Sequence, residues 1–262
     1  MAQSLTVVTF NTWKGDGAYQ ARLRLMATEV RRLDADILLL QECFAAPALG
    51  YDTAAALADA TGFHAARWDG RRKPRLCEGA EAMSTSGLAV LSRYPILKAW
   101  AVELPSDPRD GDRAALFAEI DHPAGNVLAV SLHLTHLQNA QALRRRQFET
   151  VVTELAGMKP ATLALIGGDF NAAPDAAEIS DALAPNGSRL VDCRHLAGLP
   201  PAATCGAACI DHILLLVSPE MEELQVADVS TVFDRPDPET GLLASDHFGV
   251  KASIVLRATP LA

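Results

Sequence analysis

Short apolar runs recur along the chain, with turn-forming residues between them. They lie at residues 5–10, 36–41, 87–92, 113–120, 127–134, 162–168, 210–217 and 250–256. Runs of this length bounded by turn signals are typical of β-strands. Several of them are apolar at consecutive positions instead of alternating, as in Leu38, Leu39 and Leu40. Both faces of such strands are expected to be covered by other parts of the protein.

Two segments have the spacing of an amphipathic helix. The first has apolar residues at positions 23, 26, 30 and 33, and the pattern puts arginines 22, 24, 31 and 32 on its polar face. The second contains Leu143, Phe148, Val151, Val152 and Leu155. Helices and strands are therefore interleaved. Since the sequence contains no internal repeat and no long linker, we predict a single α/β domain spanning residues 1–262.

The composition is that of a globular protein with an acidic surface. The 262 residues are 49% hydrophobic, which is enough apolar content to bury a large core. The formal net charge of −9 argues against a general binder of nucleic-acid backbones, because such binding depends on cationic side chains. One local exception is the predicted loop at residues 66–79, which contains Arg67, Arg71, Arg72, Lys73 and Arg75. This loop is either a solvated run of charge or a lid that recognises additional phosphates or a nucleotide.

Cysteine usage and the N-terminal residues indicate the expected compartment. Five cysteines, an odd number in a chain of this length, do not suggest a secreted disulfide framework. The first residues lack a basic region followed by an apolar one, and no run reaches the roughly 20 apolar residues needed to cross a bilayer. We therefore expect a cytoplasmic protein without a membrane span, and we infer no obligate protein partner.

Polar and charged residues stand where the predicted strands meet loops. They are Asn11, Glu42, His133, Asp169, Asn171, Asp211, Asp246 and His247. A single residue of this kind is most often a cap or a turn former, but the recurrence at so many strand ends favours a shared site. Carboxylates, amides and imidazoles together are the groups expected for a hard divalent cation and an acid–base pair acting on a phosphate.

These motifs also carry a family resemblance. In order along the chain they read "TFNTW", "DILLLQE", "GLAVLSRYPI", "SLHLTH", "GGDFNAAP", "CIDHILL" and "SDHFGV". The ordered set resembles the endonuclease/exonuclease/phosphatase superfamily, which includes deoxyribonucleases, abasic-site endonucleases, neutral sphingomyelinases and inositol polyphosphate 5-phosphatases. The resemblance implies a four-layer α/β sandwich, in which two mixed β-sheets lie face to face with helices outside and the active site lies at one end.

The resemblance implies a metal site that binds Mg²⁺ or Mn²⁺. By position, Glu42 resembles the main metal ligand, with Asp246 and Asn11 as further residues of the metal site. Mg²⁺ typically takes only one or two carboxylates from the protein, so these two acids are sufficient. Trp13 stands near Asn11 where some nuclease members carry a metal-site aspartate, which favours a single metal ion here.

The resemblance also assigns the catalytic and phosphate-binding residues. His247 corresponds to the catalytic histidine and Asp211 to the carboxylate that orients it. Asp169 and Asn171 correspond to the pair that positions the attacking water and the phosphate oxygens, and His133 to a second histidine at the scissile phosphate. Arg113 corresponds to a phosphate-site or structural arginine, with an exposed salt-bridging arginine as the alternative. Which of Asp169 and His247 takes the proton of the water stays open.

The substrate is the least constrained part of the sequence prediction. The acidic chain, with only 5% aromatic residues, favours a small phosphate ester, a nucleotide or a lipid-derived ester over a duplex nucleic acid. A DNA or RNA nuclease with the same mechanism is the alternative. A third hypothesis is a catalytically silent binding module, and the complete set of site residues from Asn11 to His247 argues against it.

Overall fold

The computed structural model describes residues 3–158, 161, 163–181, 187–217 and 224–256. Both ends of the predicted domain and Thr162, the first residue of one predicted strand, lie outside the described residues. Among the described residues, no helix is long and apolar enough to cross a membrane.

The first half of the chain contributes most of one sheet and two helices. Its elements are β1 (Gln3–Asn11), α1 (Tyr19–Arg32), β2 (Ile37–Ala46), a 3-10 helix (Pro47–Leu49), β3 (Tyr51–Asp52), α2 (Thr53–Thr61), β4 (His64–Trp68), β5 (Lys73–Cys77) and β6 (Ala80–Ser92). The second half supplies β7 (Ile96–Glu103), β8 (Ala114–Ile120), β9 (Val127–His133), α3 (Gln141–Ala156), β10 (Leu163–Asp169), α4 (Ala177–Ser180), β11 (Arg189–Asp192), α5 (Cys193–Leu196), β12 (Asp211–Val217), β13 (Gln225–Val232) and β14 (Gly249–Leu256).

These strands form two mixed sheets. The first has the order β13-β14-β1-β2-β6-β4, with β3 paired to β2 and β5 paired to β6. The second has the order β11-β12-β10-β9-β8-β7. In each sheet one parallel pair lies among antiparallel neighbours, β1 with β2 and β9 with β10. Because the strands of a parallel pair run in the same direction, their carboxyl ends meet at one edge of the sheet.

The core divides into layers that explain the continuous apolar strands. Alternate residues of both sheets, such as Val7, Leu39 and Leu165, form one buried cluster between the sheets. The other residues of β1, β2 and β6 pack under α1 and α2, and those of β8, β9 and β10 pack under α3. The predicted four-layer sandwich is therefore confirmed, and the strands are covered on both faces as expected.

Two glycines of β10 allow close approaches next to Asp169, one to the facing sheet and one to the neighbouring strand of the same sheet. A Cβ atom at Gly167 would lie 2.5 Å from Leu39 Cδ1 of the facing sheet. A Cβ atom at Gly168 would lie 2.1 Å from the carbonyl oxygen of Leu132 on β9. A larger residue at Gly168 would have to push β10 away from the backbone of β9, and Asp169 would move with it, whereas a larger residue at Gly167 would have to displace the side chain of Leu39.

A buried polar link joins the two sheets just beneath the strand ends. Gln41 of β2 donates a hydrogen bond from Nε2 to Ser131 Oγ of β9, at 3.2 Å. Ser131 Oγ in turn donates to the carbonyl oxygen of Leu40, at 3.1 Å. Both side chains are fully buried, so these hydrogen bonds fix the register of the two sheets relative to each other.

Two sequence predictions about local structure are wrong. The segment at 66–79 is not a loop, because it contains the end of β4, a short turn and β5, which pairs with the first half of β6. Arg22 does not lie on the solvent face of α1 and is fully buried. Its guanidinium donates to the carbonyl oxygens of Thr12, Trp13, Lys14, Asp16 and Ala244.

Candidate active site

The strand ends of both sheets converge on one pocket of about 340 Å³. All of the predicted site residues except Asp211 line it: Asn11, Glu42, Arg113, His133, Asp169, Asn171, Asp246 and His247. Asp211 lies directly behind His247 and is buried. The structure therefore brings together residues from near the two ends of the described chain, from Asn11 to His247.

Glu42 is held in an irregular part of β2. The register between β2 and β6 shifts between Leu40 and Cys43, and Glu42 has a φ of 55°, a left-handed conformation that is rare for a residue with a side chain. Strain of this kind persists when it directs a side chain to a particular place. The Glu42 carboxylate is largely buried, and burial raises its pKa although Lys14 Nζ lies 3.4 Å away.

His247 and Asp211 form a buried pair. His247 Nδ1 donates to Asp211 Oδ2 at 2.9 Å, although the two residues are far apart in the sequence. Burial alone would lower the pKa of His247, but the hydrogen bond and charge of Asp211 outweigh it and raise the pKa to about 9. The imidazole is therefore positively charged at neutral pH.

Asp169 lies at the centre of the cluster and connects the two sheets. Its Oδ2 accepts a hydrogen bond from Asn11 Nδ2 at 3.1 Å and lies 3.3 Å from His133 Nε2 and 3.8 Å from His247 Nε2. Its Oδ1 accepts from the backbone N–H of Asn171 at 2.9 Å. Burial, followed by repulsion from Asp211, raises the pKa of Asp169 to about 7.

His133 and Asn171 complete this side of the pocket. Burial and the nearby charge of Arg113 hold the pKa of His133 well below its ordinary value, so this imidazole is neutral at neutral pH. Asn171 has a φ of 50° and donates from Nδ2 to the carbonyl oxygen of Leu134 at 3.1 Å. The left-handed turn at Asn171 keeps its amide at the pocket wall, directly beyond Asp169.

Arg113 is fixed in the pocket wall by an ion pair. Its guanidinium donates to Asp110 from Nη2 at 2.7 Å and from Nε at 3.1 Å, and Nη2 also donates to His136 Nδ1 at 2.9 Å. The side chain of Arg113 is only 9% exposed, so the alternative of an exposed arginine is wrong. A two-point ion pair of this kind fixes the plane of the guanidinium.

Two sets of side chains could hold a metal ion, and their chemistry differs. Ligand atoms of Asp169, Asp211 and His247 lie within 4.8 Å of one another. In that set, however, the protonated Nδ1 of His247 is already bonded to Asp211, which is the arrangement of an acid–base pair. Glu42, Asp246 and Asn11 instead offer oxygen atoms at the pocket wall. The buried carboxylate of Glu42 is an oxygen donor that fits a hard divalent cation.

Several residues that shape the site were missed by the sequence prediction. Arg22 holds the backbone on both sides of the pocket, Asp110 orients Arg113, and Lys14 lies against Glu42. A signal existed for Asp110, since it stands three residues before Arg113 in "DGDR", a spacing that allows an ion pair within one turn. No comparable signal identifies Arg22, because the helical periodicity puts it on the same polar face as arginines that are exposed.

Solved structures with the same fold share little sequence with this chain. A structure of D. rerio TDP2 complexed with a single-strand DNA product has a TM-score of 0.74 at 16% identity, covering 96% of this chain and 98% of that one. Truncated Caenorhabditis elegans TDP2 has a TM-score of 0.69 at 18% identity, and the match covers 96% of this chain and 97% of that one. An endonuclease/exonuclease/phosphatase protein from Beutenbergia cavernae has a TM-score of 0.71 at 22% identity, and the match covers 99% of this chain and 73% of that one. Among curated proteins, none matches the sequence significantly.

The family model of the endonuclease/exonuclease/phosphatase family matches residues 8–256. This range extends from β1 to the end of β14 and contains every predicted site residue. Members of the family are hydrolytic phosphoesterases that use divalent metal ions. Since the match spans most of the chain, the chain belongs to the endonuclease/exonuclease/phosphatase family.

Proposed function

We propose that this protein is a Mg²⁺- or Mn²⁺-dependent hydrolase of phosphate esters, acting on a small-molecule ester, a nucleotide or a lipid-derived ester. The observation that carries the proposal is a combination of two hydrogen-bonded pairs, Asn11 with Asp169 and His247 with Asp211. Asp169 and His247 line the same pocket as the carboxylates of Glu42 and Asp246. Acid–base groups and hard oxygen ligands on one pocket are the requirements of metal-assisted phosphate ester hydrolysis.

Glu42 would be the main ligand of the metal, with Asp246 and Asn11 as further residues of the metal site. A bound Mg²⁺ or Mn²⁺ would supply a Lewis acid that neutralises negative charge on the phosphate oxygens. Lys14 stabilises the buried charge of Glu42 when the carboxylate is ionised. The strained backbone at Glu42 sets the direction from which this carboxylate reaches the pocket.

Asp169 is suited to accept the proton of the attacking water. Its pKa of about 7 leaves a large ionised fraction at neutral pH, whereas His247, with a pKa of about 9, already carries its proton. In this scheme Asp211 holds the His247 imidazolium, which stabilises charge that develops on the phosphate. Asn11 donates to Asp169 Oδ2 and keeps that carboxylate oriented.

Arg113, His133 and Asn171 would contact the phosphate oxygens. Arg113 is fixed by Asp110, and a guanidinium that is already oriented stabilises developing charge without having to reorganise. His133 is neutral and lies 3.3 Å from Asp169, so one ring nitrogen faces the reaction centre. One N–H of the Asn171 amide is bonded to Leu134, which fixes the direction of the other.

A second candidate function is a nuclease with the same mechanism. A single-strand DNA product is bound in the D. rerio TDP2 structure, and that protein has the fold of this chain. A substrate panel of plasmid DNA, single-stranded RNA, sugar phosphates and phospholipids separates the two functions. Preferred cleavage of either nucleic acid would favour the nuclease.

Hydrolysis of bis-(p-nitrophenyl) phosphate tests the proposed function. We expect activity with Mg²⁺ or Mn²⁺, its loss in EDTA, and a decrease of at least ~100-fold in Glu42→Ala, because a metal's transition-state stabilisation amounts to several kcal/mol. Glu103→Gln removes an exposed carboxylate outside the pocket and is the matched control. Full activity in metal-free buffer would contradict the proposal, and no activity under any condition would support a silent binding module.

A further inference from the structure

The pocket has a second, basic wall that the proposed chemistry does not use. It is formed by the end of β4, the turn that follows, and the start of β5. Trp68, Gly70, Arg71, Lys73 and Arg75 line the same pocket as Glu42 and His247. We refer to Arg71, Lys73 and Arg75 as the basic wall.

Close backbone packing holds this turn against the pocket. β4 pairs with the second half of β6 and β5 with the first half, so the turn crosses over the middle of β6. A Cβ atom at Gly87 of β6 would lie 1.9 Å from the carbonyl oxygen of Trp68, and one at Gly70 would lie 2.5 Å from that of Ser86. Only glycines allow this approach, so the position of the basic wall is set by the fold.

The cations of this segment have different surroundings. Arg67 forms ion pairs with Asp52 (Nη1 to Oδ2, 2.6 Å) and with Asp69 (Nη2 to Oδ1, 2.8 Å), and these carboxylates compensate its positive charge. The basic wall has no ion pair with any acidic side chain among the described residues. Arg71 donates to the carbonyl oxygen of Asp110 at 3.4 Å, and Arg75 donates to Ser84.

The other cations of the pocket are already engaged. Lys14 lies 3.4 Å from Glu42, and Arg113 is bonded to Asp110. Among the described residues, Arg71, Lys73 and Arg75 are therefore the cations of the pocket that have no ion-pair partner, in a chain whose formal net charge is −9. Unpaired arginine and lysine side chains on a concave surface attract and bind phosphate.

We propose that Arg71, Lys73 and Arg75 form a subsite for a second phosphate of the substrate, one that is bound but not hydrolysed. This inference rests on the proposed function and narrows the substrate class to esters with at least two phosphate groups. Trp68 packs against the core between the sheets and also lines the pocket, where it offers an apolar surface to the organic part of the substrate. The second phosphate is either a terminal monoester or the diester of a neighbouring nucleotide.

A pair of chromogenic esters tests the subsite. Thymidine 5′-(p-nitrophenyl phosphate) has one phosphate, and its 3′-phosphorylated form has a second one at the other end of the sugar. We expect the native protein to prefer the second ester in kcat/KM by about tenfold to a hundredfold, the effect of two or three charge-assisted contacts. The p-nitrophenyl ester of the dinucleotide pTpT has a phosphodiester at the 3′ position. Comparing it with the 3′-phosphorylated ester shows whether the subsite prefers the diester of a neighbouring nucleotide or a terminal monoester.

The double variant Arg71→Ala/Lys73→Ala should lose this preference and keep kcat/KM for the one-phosphate ester within about twofold. The double variant Arg31→Ala/Arg32→Ala removes two exposed charges at the end of α1 and is the matched control. An unchanged preference in Arg71→Ala/Lys73→Ala, or an equal loss in the control, would overturn the subsite.

Binding distinguishes failure of the subsite from failure of the proposed function. Calorimetric titration should give tighter binding of thymidine 3′,5′-bisphosphate than of thymidine 5′-monophosphate, and the difference should disappear in Arg71→Ala/Lys73→Ala. If the protein hydrolyses neither ester yet keeps this difference, the proposed function fails and the subsite stands. Equal affinity for the two nucleotides in the native protein would overturn the subsite.

Discussion

The charged groups around this pocket are placed in two different ways. His247 and Arg113 are largely buried and each is fixed by a carboxylate, Asp211 or Asp110. Arg71 lies on the turn before β5 and Lys73 is the first residue of β5; both are exposed and have no ionic partner among the described residues. Groups that are oriented before the substrate arrives can stabilise a transition state, whereas exposed cations that no carboxylate fixes contribute to binding. The difference predicts that variants of the fixed groups change turnover and variants of the exposed ones change substrate choice.

The largest effect is expected when the partner of His247 is removed. Asp211→Asn should lower kcat by about 10²- to 10⁴-fold, the range for a disabled acid–base group. The effect should persist at every Mg²⁺ concentration, because the substitution changes the imidazole and not the metal ligands. Steady-state kinetics with bis-(p-nitrophenyl) phosphate measure it, with the exposed Asp228→Asn as control. A loss of less than about tenfold would mean that His247 needs no partner.

Arg22 fixes the backbone on which part of the site is built. Its buried guanidinium donates hydrogen bonds to the carbonyl oxygens of Thr12 and Asp16, which follow β1. It also donates to the carbonyl oxygen of Ala244, just before Asp246. Arg22→Met should lower the free energy of unfolding by about 3 kcal/mol, because buried carbonyls lose charged donors. Arg24→Met, on the exposed face of the same helix, should change it by less than about 0.5 kcal/mol. Urea denaturation measures both, and equal effects would contradict the structural role of Arg22.

A smaller effect is expected when Arg113 loses its partner. Hydrogen bonds from Arg113 overcome the effect of burial and hold the pKa of Asp110 below its ordinary value, so this carboxylate is ionised at neutral pH. Asp110→Asn keeps the shape of the side chain and removes its charge. We expect kcat/KM to fall about tenfold, because the Arg113 guanidinium is then held in its orientation less firmly. Asp107→Asn changes a carboxylate on the same loop that pairs with exposed Arg109, and is the control. Equal values for the two variants would show that Arg113 needs no fixing.

The pH profile distinguishes the two titrating groups of the cluster. If ionised Asp169 and protonated His247 are both required, kcat/KM should rise through about pH 7 and fall through about pH 9. Asp211→Asn removes the charge that supports the protonated imidazole, so the falling limb should move to lower pH. The profile of Asp211→Asn is measured on its residual activity. If the falling limb does not move, a group other than His247 is responsible for that limb.

The parts of the site that the sequence predicts are those with a strong local pattern. Asn11, His133 and Asp169 each follow a buried apolar run, and the fold places such strand ends together. The pattern predicts a loop for the basic wall because "HAARW" and "KPRLC" are short, largely exposed strands without apolar alternation. Periodicity predicts an exposed Arg22 because it cannot show that backbone carbonyls surround a charged side chain. These features depend on contacts between distant segments, and no local pattern records them.

The central claim is that the carboxylates divide into a metal set and an acid–base set. Mg²⁺ titration of the rates of Asp246→Asn and Asp211→Asn tests it most directly. We predict that Asp246→Asn needs more Mg²⁺ for its half-maximal rate and recovers activity at high Mg²⁺, whereas Asp211→Asn stays slow at every concentration. Rescue of Asp211→Asn and not of Asp246→Asn would contradict the claim, and the metal site would have to be rebuilt around the Asp169, Asp211 and His247 set.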